Sequence, residues 1–173
     1  MSGSLIKIQE TTVSSSTATV TLTGINSTYD VYKVVWSNVT VDTDTKQLQW
    51  RYNNASGPVT SGHYDKARVI LKANAGTFTS SQSEDANQFN TVSIGTGTQE
   101  KTNGTLYLFN FNTTSEYSFH TEEATSYDYQ PTLAGIQGGG VLTVAEAHTG
   151  LTFFVQDSNN LESGTFTLYG LKK

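Results

Sequence analysis

Apolar residues in this chain recur at every second position, and a helical period is nearly absent. From Thr17 to Thr23 every second residue is Thr, with Ala18, Val20 and Leu22 between them. One face of that segment is hydroxyl and the other apolar, which predicts a half-buried strand. Leu48, Trp50 and Tyr52 alternate with Gln47, Gln49 and Arg51. The same period links Val92 with Ile94, Tyr117 with Phe119, Leu151 with Phe153 and Val155, and Phe166 with Leu168. Two segments, Tyr29 to Val39 and Thr105 to Phe111, are apolar on both faces. They predict central strands whose second face is covered by a loop or a neighbouring subunit.

Turn-forming clusters separate these runs: Gly24–Ser27, Asn53–Pro58, Asn112–Thr114, Gly138–Gly140 and Ser158–Asn160. Gly and Asn suit the backbone conformations that tight turns need. The spacing predicts about eight to ten short strands in an all-β sandwich or barrel. The polar stretch Thr79–Asn90 reads as a mobile loop, Gly138–Gly140 as a flexible hairpin loop, and Ala145-Glu146-Ala147 as a single helical turn. A two-residue polar turn should join Leu151–Gln156 to Ser163–Leu171. With 173 residues and no linker, residues 1–173 read as one domain.

Composition narrows the function classes. Lys and Arg number 10 against 15 Asp and Glu, for a net charge of −5. Only 14% of residues are charged, while Thr and Ser supply 28 and 18. On alternating strands those hydroxyls give β propensity and solubility without Lys or Glu, and leave an outer surface suited to packing against neighbours. A basic excess able to neutralise phosphates is absent, so nucleic acid is not an expected partner. No apolar run reaches the roughly 18–20 residues of a membrane-spanning helix, and the opening residues do not read as a signal peptide. With no Cys, disulfides, thiolate metal sites and Cys nucleophiles are excluded.

Candidate chemistry is sparse. Glu122-Glu123 and Asp42-Thr-Asp44 are the carboxylate pairs a glycan hydrolase would need. Adjacent residues on a strand point to opposite faces, so Glu122 and Glu123 do not share a substrate. All four read as solvated acids. Asp42-Thr-Asp44 does not continue as a calcium loop, because Gln47 stands where that loop needs Gly. His63, His120 and His148 are far apart and read as surface or hydrogen-bonded side chains; no metal, cofactor or catalytic set is expected. Five Asn-x-Ser/Thr sequons, at Asn26, Asn38, Asn54, Asn103 and Asn112, follow from the composition. Tyr127-Asp128-Tyr129, in a polar stretch, suits contact with a partner or glycan, and Trp50 is a further aromatic that could stack on a sugar if it is not core.

The segment Ser158-Asn-Asn-Leu-Glu-Ser-Gly-Thr-Phe-Thr-Leu-Tyr-Gly-Leu-Lys172 resembles the closing hairpin of small jelly-roll virion proteins of tailed bacteriophages, marine and cyanobacterial phages especially. Leu5-Ile6-Lys7, the alternating Thr strand and Gly24–Lys33 resemble the opening strands of the same group. The resemblance covers both ends and is weak over Val59–Gln99. Asn159 stands where Gly is more usual, and Asn tolerates a left-handed backbone. The resemblance implies a single jelly-roll antiparallel β-sandwich, without enzymatic activity, made in the host cytoplasm and carried on the virion. It implies capsid decoration or a head or tail appendage, with major capsid or appendage proteins and further copies of the chain as partners, a symmetric trimer among the arrangements. A chain running from Met1 to just past the closing strand reads as a whole small protein, which favours decoration over a fibre tip. The alternative is a carbohydrate-binding adhesin that attaches the virion to host glycans.

Overall fold

In the strand β2 (Thr19–Thr23), Val20 and Leu22 are buried while Thr19, Thr21 and Thr23 face solvent. Repeating that division builds the whole structure, a computed structural model that describes residues 4–171. The first half adds β1 (Leu5–Val13), β3 (Val31–Val41), β4 (Lys46–Asn54), β5 (Gly57–Pro58), β6 (Tyr64–Lys72) and β7 (Phe78–Ala86). The second half adds β8 (Phe89–Ile94), β9 (Thr102–Phe109), β10 (Ser118–Tyr127), β11 (Leu133–Leu142), β12 (Gly150–Val155) and β13 (Leu161–Leu171).

The strands form two antiparallel sheets in a sandwich-like arrangement. The larger runs β1-β13-β3-β9-β10-β11-β6-β7. The smaller runs β2-β12-β4, with β5 and β8 both paired to β4. The doubly apolar segments occupy the centre of the larger sheet as β3 and β9, as their composition predicts. Trp36 of β3 and Trp50 of β4 meet between the sheets with ring centroids 5.9 Å apart, and Phe153 and Phe166 complete the stack. All four are fully buried.

Several local expectations change. Among the described residues there are thirteen strands, because the middle segment is structured: Thr79–Asn90 holds most of β7 and the start of β8 rather than a mobile loop. Hydroxyl-rich sequence forms an edge strand here because only one side needs a backbone partner. Gly138–Gly140 lies inside β11, not in a hairpin loop. A Cβ at Gly138 would fall 2.4 Å from Arg68 Cβ, and one at Gly140 2.3 Å from the Phe89 ring. The glycines thus make room for large side chains. Ala145–Ala147 is not helical; the one helical element among the described residues is the 3₁₀ turn Gln156–Ser158.

The C-terminal segment is also not a hairpin. β12 lies in the smaller sheet and β13 in the larger, so the chain crosses the sandwich between them. Leu151 and Phe153 then face Phe166 and Leu168 across the core instead of sharing one sheet. Asp157 (φ 58°) and Ser158 (φ 61°) take the left-handed positions, while Asn159 is extended at φ −76°. Gly164 (φ 132°) does permit close approach: a Cβ there would lie 2.9 Å from Val39 Cα.

Candidate functional site

β10 reverses the usual division of a sandwich strand. Ser118, His120, Glu122, Ala124 and Ser126 point inward and are buried, whereas Phe119, Thr121, Glu123, Thr125 and Tyr127 point outward. Tyr117 and Phe119 therefore alternate as expected but face solvent, not the core. Polar groups turned inward must be hydrogen-bonded, and each one is. The His120 Nδ1 lies 2.6 Å from the Tyr52 hydroxyl, and the Ser126 hydroxyl donates to Thr102 Oγ1 at 2.8 Å. Glu122 faces Arg68 at 3.4 Å, with both side chains only 3% exposed. Arg68 also donates to the Asn90 carbonyl, which ties β6 of the larger sheet to β8 of the smaller.

Burial sets the ionisation of this row. It pushes the His120 imidazole down to about 3, with the Arg68 charge adding to the effect. It pushes the Tyr52 phenol up, so their contact joins a neutral phenol to a neutral imidazole. Burial also raises the Glu122 carboxyl, while Arg68 and then Lys66 pull it part of the way back.

Sequence alone did not single out a serine–histidine–acid arrangement, yet one exists. Ser118 Oγ lies 2.7 Å from His148 Nδ1, and His148 Nε2 lies 3.4 Å from Glu146. The serine sits on Nδ1 and the carboxylate on Nε2, the reverse of a hydrolase triad. Ser118 and His148 are fully buried, so the hydroxyl meets no substrate. The contact braces β10 against the loop that follows β11.

The outward face of the larger sheet is the more telling surface. At the end built by β10, β11, β6 and β7 it exposes Phe78 (64%), Leu71 (52%), Leu133 (49%), Phe119 (43%) and Tyr127 (39%). Register places Tyr127 beside Leu133, and Thr125, Gly135, Leu71 and Phe78 in one row across four strands. Alongside runs a shallow groove of about 530 Å³ lined by Val35, Thr105, Glu123, Gly135 and Gln137 among others. The result is an open face on which exposed apolar side chains are interspersed with Thr121, Glu123, Thr125 and Gln137, and on which Asp65 and Glu84 stand beside Phe119.

The residues predicted to contact a partner are divided by the fold. Trp50 is fully buried in the core and has no surface to offer a sugar. Its strand, β4, is sandwiched, so the alternation that exposes alternate residues elsewhere hides this one. Asp128 is also buried: it accepts Lys72 Nζ at 2.8 Å and the backbone N–H groups of Gln130 and Thr132. Tyr127 belongs to the outward face of the larger sheet, beside Leu133. Tyr129, exposed, lines a polar cleft of about 330 Å³ with Gln47, Lys72, Asn90 and Ser93. The notion of four solvated acids holds for Asp42, Asp44 and Glu123, which are exposed, and fails for Glu122. Its failure follows from strand parity, since Glu122 shares the inward face of β10. His63 is exposed, 3.9 Å from Asp85, whereas His120 and His148 are buried and hydrogen-bonded. Among the described residues no three His, Asp or Glu side chains gather as metal ligands.

The signal that would have located this site is the sequence of β10 itself. Ser-Phe-His-Thr-Glu-Glu-Ala-Thr-Ser-Tyr alternates, but with its aromatic residues on the face that lacks His and Ala. Comparison with protein-family models, with curated proteins and with solved structures finds no match.

Proposed function

We propose that this chain is a virion structural protein of a tailed phage, a non-enzymatic jelly-roll sandwich that decorates the capsid or builds a head or tail appendage. The strand order supports the jelly-roll part of the reading. With β5, β6, β7, β10 and β11 set aside as insertions, the sheets read β1-β13-β3-β9 and β2-β12-β4-β8. Eight strands in that order make two Greek keys wrapped into a double sheet. Of the inserted strands, β6, β7, β10 and β11 extend the larger sheet and the two-residue β5 pairs with β4 in the smaller; β6 and β7 lie where the resemblance to phage proteins is weak. The virion part rests on that resemblance, carried by Leu5–Lys7, the alternating Thr strand, Gly24–Lys33 and Ser158–Lys172.

The observation that carries an assembly role is the reversed strand β10. A chain that turns His, Glu and Ser inward and Phe and Tyr outward has placed its apolar residues where a neighbour, not its own core, covers them. The test is an antibody against the recombinant chain applied to purified particles. It should label capsids or tails, and the protein should sediment with them. Sedimentation with neither overturns the reading.

A second reading is favoured by the cleft beside Tyr129, where an aromatic rim stands over amide, hydroxyl and cationic groups, the mixture that recognises a sugar. It predicts glycan-array binding that Tyr129→Ala removes and Trp50→Phe, a core change, leaves in place. Equal glycan binding by Tyr129→Ala and the parent chain eliminates it.

A further inference from the structure

A sandwich that is not closed has edge strands, and an unprotected edge recruits another strand. Among the described residues the edges here are β1 and β7 in the larger sheet, and β2 and β8 with the two-residue β5 in the smaller. Three of them are blocked. The β1 edge carries a bulge between Lys7 and Gln9 and the exposed Lys7–Glu10 ion pair. On β2, the Gln9 side chain acts as a substitute strand: its amide donates to the Thr21 carbonyl at 3.0 Å and accepts the Thr23 N–H at 2.6 Å. On β8, Arg68 takes the Asn90 carbonyl, and Ile94 bridges to Asp128.

The β7 edge has no such device. From Phe78 to Ser83 it reads Phe-Thr-Ser-Ser-Gln-Ser, with no charge, proline or glycine, in unbroken register with β6. Its irregularity comes only afterwards, at Glu84 and Asp85, where Asp85 turns to φ 49°. The exposed Phe78 and Leu71 stand on the outward face next to this edge.

From this contrast we propose that two copies of the chain pair antiparallel through β7, about a two-fold axis, continuing the larger sheet from one molecule into the other. Charge decides the partner and its direction. Antiparallel pairing sets the acidic Glu84–Asp85 end of each strand against the uncharged Ala75–Phe78 end of the other, whereas parallel pairing would stack acid on acid. A two-fold contact of this kind uses the same strand twice and closes on itself, so it yields a dimer rather than a fibre or a trimer. Phe78 and Leu71 then lie beside the seam, partly covered. The proposal goes beyond the virion reading and does not depend on it.

Sedimentation velocity of the full chain over a concentration series tests it. The parent chain should show a monomer–dimer equilibrium. Ser80→Lys with Gln82→Lys brings like charges together in either register that keeps the faces matched, and should weaken the dimer by about tenfold or more. Both side chains are exposed, so the melting temperature of the variant monomer should stay near that of the parent. Because the chain has no Cys, Ser80→Cys and Ser81→Cys give a second readout. One of the two should form a disulfide-linked dimer under mild oxidation, and a Thr21→Cys control on β2 should not. A parent chain that remains monomeric at its solubility limit overturns the pairing, as does a trimer. So does a dimer that survives the double Lys change and yields to Ile6→Lys on β1. A β7 dimer that fails to sediment with particles leaves this inference standing and removes the virion reading instead.

Discussion

Arg68 shows how one side chain can carry a strand that the hydrophobic pattern does not explain. Its guanidinium and Glu122 are removed from water together, and removing two charges from water costs more than their attraction returns unless further hydrogen bonds are made. The Asn90 carbonyl supplies one. Arg68→Ala therefore strands a buried carboxylate and removes the guanidinium's tie to β8, leaving Lys66 on the Asn90 side chain to join β8 to β6. We expect it to lower stability in urea by about 3–5 kcal/mol. Arg68→Met with Glu122→Leu removes both charges and should recover much of that loss. If the double variant is no more stable than Arg68→Ala, the tie to β8 outweighs the charge pairing. Nothing in local composition distinguishes Arg68 from a solvated cation, since the partner that buries it is 54 residues away.

At the scale of the element, legibility in the sequence followed sidedness. Strands with one apolar and one polar face, such as β2, could be read with the correct face inward. The central β3 and β9 could be read from being apolar on both. β10 and β11 could not, because the rule that apolar residues face inward gives the wrong face for β10, and bare glycine in β11 looks like a turn. What the rule lacks is the neighbour: Gly138 and Gly140 are required by Arg68 and Phe89, which come from other strands. A pair of substitutions separates the two readings of the glycines. Gly140→Ala places a methyl 2.3 Å from Phe89 and should cost about 1–3 kcal/mol by overpacking. Gly135→Ala meets nothing closer than 3.9 Å and should be neutral, or stabilise by about 0.4–1 kcal/mol through the unfolded chain. A flexible loop would tolerate both alike, so equal melting temperatures for the two variants would contradict the strand assignment. The same dependence on partners explains why Tyr129 was legible as an exposed residue and Trp50 was not separable from one: alternation gives the face of a strand, not the layer it lies in.

For the whole molecule, each buried titratable group of the inward polar row makes stability depend on pH with its own sign. His120 accepts a proton in the unfolded chain near its ordinary 6.5 but only at about 3 when folded. Between those values the unfolded state binds a proton that the folded state refuses, so stability falls as pH falls. His148 is displaced in the same direction by burial. Glu122 opposes them. Its raised folded value means that the folded state keeps a proton the unfolded carboxylate has lost, a contribution that fades as pH rises above 4.5. The His120 contribution by itself is a loss of stability as pH falls from about 6.5 toward 3. The contribution of His120 can be isolated by difference. In the window between its two values, one proton changes stability by at most about 1.4 kcal/mol per pH unit. Unfolding free energies measured from pH 7 to pH 4.5 should fall less steeply for His120→Gln than for the parent, by an amount approaching that figure below pH 6. The substitution also weakens the contact with Tyr52, which lowers both ends of the curve and leaves the difference in slope as the diagnostic quantity. Parallel curves for the two proteins would mean that His120 is protonated in the folded state. The neutral Tyr52–His120 contact would then be wrong, and with it the account of why β10 tolerates an imidazole on its inward face.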